Sequence, residues 1–225
     1  MSHSNLSNLL DSGVIAVVRK VSREKVTQVV SSLIAGGVTG IEITIDSEDA
    51  LGAIREVKDI FGEKAVIGAG TVLNSQSAEM AIEAGAEFIF APTLHKGTIE
   101  VTKGYKKIVI PGVFTPTEIL QAYEWGADVV KVFPASSLGP DFIKQIRGPL
   151  GHIPMMPTGG IDLENTEDFI AAGSVAVGVG GALLRKDLID NNQWEPLTSL
   201  AQQFVQLVRK ARRNEVILEK NEKKP

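Results

Sequence analysis

The stretch Ala127-Asp-Val-Val-Lys-Val-Phe-Pro-Ala-Ser136 predicts the fold class of this chain. It is apolar on both faces, because Val129 and Phe133 lie on one face of a strand and Val130 and Val132 on the other. A strand with two apolar faces is typical of a parallel sheet that is covered by helices. The stretch therefore indicates an α/β protein.

Lys131 lies in the middle of this strand, and lysine is rarely found where its ammonium loses contact with water. Burial lowers the pKa of a lysine, and the resulting free amine forms a Schiff base with a carbonyl substrate. The strand alone leaves an alternative open, in which Lys131 extends its charge to solvent or pairs with a carboxylate. The rest of the chain favours the first interpretation.

Length and composition indicate a globular protein with a large core, since 44% of the 225 residues are hydrophobic and 22% are charged. A net charge of −4 gives no reason to propose nucleic acid or an anionic membrane as a partner. The chain has no cysteine, which excludes disulfides, thiolate catalysis and thiolate metal sites. It shows neither a signal-peptide pattern nor a membrane-spanning run, and we expect a cytoplasmic protein.

Strand-like and helix-like segments alternate eight times along the chain. The predicted strands are Val14–Val18, Ile41–Ile45, Ala65–Ala69, Phe88–Phe90, Ile108–Ile110, the lysine strand, Ile153–Met156 and Val175–Val177. Four of the predicted helices end on a glycine that suits a helix C-cap, and these glycines are Gly37, Gly85, Gly126 and Gly173.

Eight such units without an internal boundary predict a (β/α)₈ TIM barrel over residues 1–213. A short helix from Asn5 to Asp11 precedes it, an extended helix from about Glu195 to Arg213 ends it, and residues 214–225 form a charged tail. An open doubly wound sheet is the alternative, but the glycine pattern expected after its first strand is missing.

The second strand, Ile41-Glu-Ile-Thr-Ile-Asp46, alternates polar and apolar residues. Its isoleucines face the surrounding helices, so Glu42 points into the barrel, where functional residues lie at the carboxyl ends of strands. If Lys131 also points inward, the two side chains meet, and a carboxylate that moves protons stands beside an amine, as Schiff-base chemistry requires. A structural ion pair is the alternative.

Two glycine loops, Thr158-Gly-Gly-Ile-Asp162 and Gly178-Val-Gly-Gly-Ala182, follow the seventh and eighth predicted strands. Loops at these two places of a barrel often bind phosphate through their backbone N–H groups. We therefore expect the substrate to be a phosphorylated carbonyl compound.

Several segments together carry a resemblance to a known family. They are Ala35-Gly-Gly-Val38, Ile41-Glu-Ile-Thr44, Gly68-Ala-Gly-Thr-Val-Leu73, Ala91-Pro92, Ile110-Pro-Gly-Val113, Lys131-Val-Phe-Pro-Ala135 and Pro157-Thr-Gly-Gly-Ile161. Through them the chain resembles the 2-keto-3-deoxy-6-phosphogluconate (KDPG) / 4-hydroxy-2-oxoglutarate (KHG) aldolases, from Asn5 to about Arg213.

The resemblance implies a class I aldolase that cleaves KDPG to pyruvate and glyceraldehyde 3-phosphate, with KHG as a further substrate. It also implies a homotrimer that needs no metal and no other cofactor. Lys131 is implied to form the Schiff base and Glu42 to carry protons. The residues implied to bind substrate are Thr71, Pro92, Phe133 and Thr158, with Gly159, Gly160, Gly180 and Gly181 at the phosphate.

Asp46 departs from the family pattern, because many members have an arginine there that binds the substrate carboxylate. Our hypothesis is that Arg19, after the first strand, reaches the carboxylate or the phosphate while Asp46 orients it or a hydroxyl. The alternative is an Arg19–Asp46 ion pair at the rim of the barrel. A second departure is Ala182, where a serine often contributes to phosphate binding.

Two other functions stay open beside KDPG cleavage. One is the cleavage of 2-keto-3-deoxy-6-phosphogalactonate, since members of that branch also have an arginine at the place of Arg19. The other is a phosphate-binding barrel with altered lyase or epimerase chemistry. A non-enzymatic interaction protein is disfavoured, because it does not explain a lysine and a glutamate on barrel-facing strand positions.

Overall fold

A ring of parallel strands surrounded by helices forms the fold. The computed structural model describes residues 2–222, and the side chains of residues 5–214. The strands are β1 (Val14–Val18), β2 (Gly40–Thr44), β3 (Val66–Gly70), β4 (Phe88–Phe90), β5 (Ile108–Ile110), β6 (Gly112–Val113), β7 (Val130–Val132), β8 (Met155–Pro157) and β9 (Val177–Val179). The helices are α1 (Ser2–Asp11), α2 (Val26–Ala35), α3 (Ala50–Phe61), α4 (Ser75–Glu83), α5 (Lys96–Gly104), α6 (Pro116–Glu124), α7 (Gly139–Leu150), α8 (Thr166–Ala171), α9 (Lys186–Asp190) and α10 (Trp194–Glu222).

The strands pair in the order β5-β4-β3-β2-β1-β9 and β6-β7-β8, and every pair is parallel. Segments β5 and β6 are two parts of one strand on either side of Pro111, whose carbonyl accepts a bond from the Lys131 N–H at 2.8 Å. A bridge between Thr158 and Gly178 joins β8 to β9 and closes the ring. The predicted (β/α)₈ barrel is confirmed.

The last strand begins at Val177, so the prediction of Val175–Val177 was placed too early. Gly178 therefore lies inside β9, not in the loop after it. A side chain at Gly178 would meet Thr158, because its Cβ would lie 2.3 Å from the Thr158 Oγ1. Glycine allows β8 and β9 to approach here, although in a sequence it usually signals the end of a strand.

The strands separate two apolar layers. Ile41, Ile43, Val130 and Val132 belong to the outer layer, between the strands and the helices. The inner layer fills the barrel and contains Leu9, Ile15, Val66, Phe88, Phe90, Ile108, Ile110, Val129, Met156 and Ala176. Because side chains alternate along a strand, this division directs Glu42 and Lys131 to the interior.

The four predicted C-cap glycines all end helices in the left-handed conformation. Gly37, Gly85, Gly126 and Gly173 have φ between 90° and 106°. The N–H of the residue after each glycine bonds to a carbonyl in the last turn of the preceding helix, as in a Schellman motif. These caps turn the chain back toward the barrel, and the prediction is confirmed.

Helix α10 extends beyond the predicted end near Arg213, as far as Glu222. Residues 214–222 contain glutamate, leucine and lysine, which have high helix propensity. The rest of the predicted tail, residues 223–225, lies outside the described residues. None of the helices in the described part of the chain has the length and apolarity needed to cross a membrane.

Arg212 on α10 connects the last helix to the start of the barrel. Its guanidinium donates to the carbonyls of Leu10, Asp11 and Val175 at 2.9, 2.8 and 2.7 Å. We expect Arg212→Ala to lower the free energy of unfolding by about 2 kcal/mol, since the carbonyls lose a charged donor. Urea denaturation measures this, with Arg213→Ala on the exposed face of the same helix as the control. Equal stability of the two variants would contradict the prediction.

Candidate active site

A cavity of about 710 Å³ opens at the carboxyl ends of the strands. The residues that line it are Val17, Arg19, Glu42, Thr71, Pro92, Lys131, Phe133, Thr158, Gly159, Gly160, Ile161, Asp162, Gly180, Gly181, Ala182 and Leu184. With the exception of Asp46, every residue that we predicted for the site is among them. The barrel thus brings together side chains from six of the predicted strand ends and both glycine loops.

Lys131 is only 5% exposed, although it carries an ionisable amine. Burial lowers its pKa, the Glu42 carboxylate opposes this shift, and the Arg19 guanidinium adds to it. The Nζ lies 4.1 Å from the centre of the Phe90 ring and 4.8 Å from that of Phe133. The amine thus lies between two aromatic rings, and its burial favours the neutral, nucleophilic form.

Glu42 is 1% exposed, and burial raises its pKa to about 7, against the opposing charges of Lys131 and Arg19. Its Oε2 has no hydrogen-bond partner among the described residues. The carboxyl group lies over Gly70, where a Cβ would come within 1.6 Å of the Glu42 Oε1. A pKa near neutrality suits a group that both accepts and donates protons.

The turn after β3 and the loop after β8 have unusual backbone conformations. Thr71 adopts φ 59°, which is rare for a β-branched residue, and Gly159 and Gly160 adopt φ 90° and 74°. In the described part of the chain, the backbone N–H groups of Gly159, Gly160 and Gly181 donate to no other backbone group. The buried Thr158 Oγ1 likewise has no hydrogen-bond partner there. The cavity therefore offers donors that an anionic, hydroxylated ligand satisfies.

Arg19 and Asp46 form an ion pair at the rim, with 2.8 Å between Nη2 and Oδ2. Burial acts to raise the pKa of Asp46, but hydrogen bonds from Thr44 and Arg19 outweigh it and lower the pKa. Arg19 lines the cavity and is 53% exposed, whereas Asp46 is absent from the cavity wall. The rim pair that we considered as an alternative is thus present, and Arg19 belongs to the cavity wall as well.

Sequence reasoning missed the contact of Phe90 with Lys131. Phe90 lies two residues after Phe88 on β4, and the period of a strand could have placed both rings inside the barrel. Gly70 belongs to one of the segments that carry the family resemblance, but nothing in the sequence explained a glycine there, because the Glu42 carboxyl group that needs its space comes from a neighbouring strand.

Across the described residues, no group of three or more histidine, aspartate or glutamate side chains is placed to hold a metal ion. His95 accepts the N–H of Thr98 and caps α5.

Comparisons with known proteins identify relatives along most of the chain. A family model described as "KDPG and KHG aldolase" matches residues 6–200. The 2-dehydro-3-deoxy-6-phosphogalactonate aldolase of Escherichia coli (strain K12) is 34% identical over 172 residues, which cover 76% of this chain and 84% of that protein. The KHG/KDPG aldolase of the same organism is 33% identical over 193 residues, covering 85% and 89%.

A solved structure is similar over the whole barrel. It is the KDPG aldolase from Legionella pneumophila with pyruvate captured at low pH as a covalent carbinolamine intermediate. The TM-score is 0.81 at 26% identity, and the match covers 90% of this chain and 97% of that one.

Proposed function

The chain belongs to the KDPG and KHG aldolase family, and we propose that it is a class I aldolase that cleaves KDPG to pyruvate and glyceraldehyde 3-phosphate. Membership makes it an enzyme, a carbon–carbon lyase. The observation that carries the proposal is the buried amine of Lys131 opposite the Glu42 carboxyl group, in a cavity with two glycine loops at its rim. The Legionella pneumophila aldolase with its covalent pyruvate carbinolamine supports the same chemistry here.

Lys131 begins the reaction by attacking the keto carbon of the substrate. The neutral amine adds to the carbonyl and gives a carbinolamine, and loss of water then leaves a protonated Schiff base. Glu42 donates the proton with which the hydroxyl group departs as water. Its pKa near 7, raised by burial, makes this transfer possible at neutral pH.

The protonated Schiff base then acts as the electron sink for cleavage. Glu42, now ionised, accepts the proton of the C4 hydroxyl, directly or through a water molecule. The C3–C4 bond breaks, glyceraldehyde 3-phosphate leaves, and the electron pair moves into an enamine on Lys131. Protonation at C3 and hydrolysis release pyruvate and restore the free amine.

The remaining cavity residues position the substrate. Thr71 and Pro92 line the pyruvyl pocket, and Phe133 packs beside it. The Thr158 hydroxyl, which lacks a partner among the described residues, bonds a substrate hydroxyl. The phosphate binds at the backbone N–H groups of the two glycine loops, which comprise Gly159, Gly160, Gly180 and Gly181.

Arg19 binds an anionic group of the substrate in this proposal. We expect Arg19→Ala to raise KM for KDPG roughly 10- to 100-fold, since a hydrogen bond to a charged group contributes about 1.5–3 kcal/mol. Steady-state kinetics of aldol cleavage measure it. Asp46→Asn keeps the guanidinium and serves as the matched control, with a KM within about 3-fold of wild type. An unchanged kcat/KM in Arg19→Ala would leave the rim ion pair as the only role of Arg19.

A second candidate substrate is 2-keto-3-deoxy-6-phosphogalactonate. It is favoured by the match to the Escherichia coli 2-dehydro-3-deoxy-6-phosphogalactonate aldolase, and by Arg19 in combination with Asp46. A side-by-side assay of the gluconate, galactonate and hydroxyoxoglutarate substrates ranks them by kcat/KM. The highest value identifies the substrate, and the hydroxyoxoglutarate value tests whether the phosphate is needed.

Self-association into a homotrimer is part of the proposal. Exposed apolar side chains on and before α6, namely Phe114, Leu120 and Tyr123, support it. Size-exclusion chromatography with light scattering measures the mass of the particle, and a monomer in solution would contradict a trimer.

Borohydride reduction in the presence of pyruvate tests the chemistry itself. A class I aldolase is covalently labelled, and peptide mass spectrometry locates the label on Lys131. If the protein binds phosphate but is not labelled, the result supports the alternative function, a phosphate-binding barrel with altered lyase or epimerase chemistry.

A further inference from the structure

The Phe90 ring lies beneath the reactive amine. Phe90 is fully buried in the inner layer of the barrel, and its ring centre is 4.1 Å from the Lys131 Nζ. The Phe133 ring is farther away, at 4.8 Å, and belongs to the cavity wall. Phe90 is absent from that wall, so it contacts the amine from the barrel interior and leaves the cavity side open to substrate.

Few charges act on the amine in this position. Glu42 on β2 favours the cationic form, whereas Arg19 after β1 disfavours it. The adjacent strands contribute Gly112 on β6 and Met156 on β8, which carry no titratable group. The face of an aromatic ring attracts a cation within about 6 Å, and most strongly where water is excluded.

We propose that Phe90 is a further catalytic residue of the Schiff-base reaction proposed above, and that its ring face stabilises the positive charge of the iminium on Lys131. The iminium forms in a site that is nearly closed to solvent, where a cation loses most of its hydration. The ring replaces part of that lost stabilisation.

The charge balance of iminium formation gives this role a signature. Above the pKa of free Lys131, a neutral amine, pyruvate and a proton give an iminium cation and water. Below that pKa, an ammonium reacts, so that Lys131 is a cation both before and after the reaction. A ring face that attracts cations therefore strengthens pyruvate binding only above the pKa of free Lys131. A side chain that merely fills space affects pyruvate binding equally at every pH.

Labelling of full-length protein by pyruvate and cyanoborohydride tests the proposal. Initial labelling rates over a range of pyruvate concentrations give an apparent dissociation constant, measured at pH values on both sides of the pKa of free Lys131. Phe90→Leu should weaken pyruvate binding roughly 3- to 30-fold at the alkaline end and leave it near wild type at the acid end. Phe88→Leu is the matched control, since it removes an equally buried ring from the same strand and the same inner layer. The ratio of the Phe88→Leu apparent dissociation constant to that of wild type should not vary with pH.

A ratio for Phe90→Leu that is constant with pH, or equal to one throughout, overturns the proposal. If Phe90→Leu fails to fold, trifluorinated phenylalanine at this position keeps the size of the ring and weakens its face. The fluorinated protein must show the same pH-dependent weakening of pyruvate binding. If the weakening is absent, the proposal is overturned as well. Failure of the wild-type protein to be labelled overturns the proposed function and this inference together, so the two failures are distinguishable.

Discussion

Replacing Lys131 with methionine is expected to abolish pyruvate-dependent labelling and to lower kcat/KM for aldol cleavage by at least about 10⁴-fold. Methionine keeps a long, unbranched side chain between the Phe90 and Phe133 rings but supplies no nucleophile. No Schiff base forms, so the C3–C4 bond has no electron sink. Coupled detection of pyruvate measures the residual rate.

Loss of fold does not explain that result, because Lys131→Met should be at least as stable as wild type. The folded protein holds the pKa of Lys131 below the value of 10.5 that it has in an unfolded chain, chiefly through burial. Below pH 10.5 the unfolded chain therefore binds the proton more strongly, and the lysine lowers the free energy of unfolding. Methionine removes this cost, and urea denaturation at neutral pH measures the gain.

Lys144→Met, an exposed position on α7, is the matched control for both measurements. It should keep full activity and a nearly unchanged free energy of unfolding. A kcat/KM within 10-fold of wild type in Lys131→Met, or a label that moves to another lysine, would contradict the role of Lys131.

Glu42→Gln is expected to lower kcat/KM roughly 10²- to 10⁴-fold, since glutamine neither accepts nor donates the protons of the carbinolamine and cleavage steps. The wild-type kcat/KM should fall as the pH rises through about 7, where the buried carboxyl group loses the proton that it donates to the departing hydroxyl. The variant should lack this limb of the profile. Pyruvate should still label Glu42→Gln, but more slowly than wild type.

The same carboxyl group makes stability depend on pH. Its pKa is about 7 in the folded protein, raised by burial, and 4.5 in the unfolded chain. A raised folded pKa contributes stability that is fully present below pH 4.5 and is lost as the pH rises through 7. As the pH rises between these limits, the free energy of unfolding of wild type should fall by about 3 kcal/mol, whereas that of Glu42→Gln should not show this fall.

Urea denaturation at about pH 4 and about pH 8 tests this difference. Glu24→Gln, at an exposed position before α2, is the control and should follow the wild-type curve. A Glu42→Gln variant with the wild-type pH dependence of stability and of kcat/KM would contradict both predictions for this residue.

The amino-acid sequence by itself determined the barrel and the direction of its key side chains. Eight repeats of strand and helix, each closed by a turn, leave few ways to bury every apolar face, and the closed ring is one of them. Strand alternation is a local rule, so Ile41 and Ile43 on the outer face directed Glu42 inward. The family resemblance added the roles of the cavity residues, which stay predictions.

Tertiary structure alone decided which groups meet. The space over Gly70 for the Glu42 carboxyl group, the extent of β9 beside Thr158, and the Phe90 ring beneath Lys131 each join residues that are far apart in the chain. The raised pKa of Glu42 and the lowered pKa of Lys131 have the same origin, because burial and opposing charge depend on every strand around the ring. A local pattern states where a side chain points, but only the closed barrel brings its neighbours together and excludes water from them.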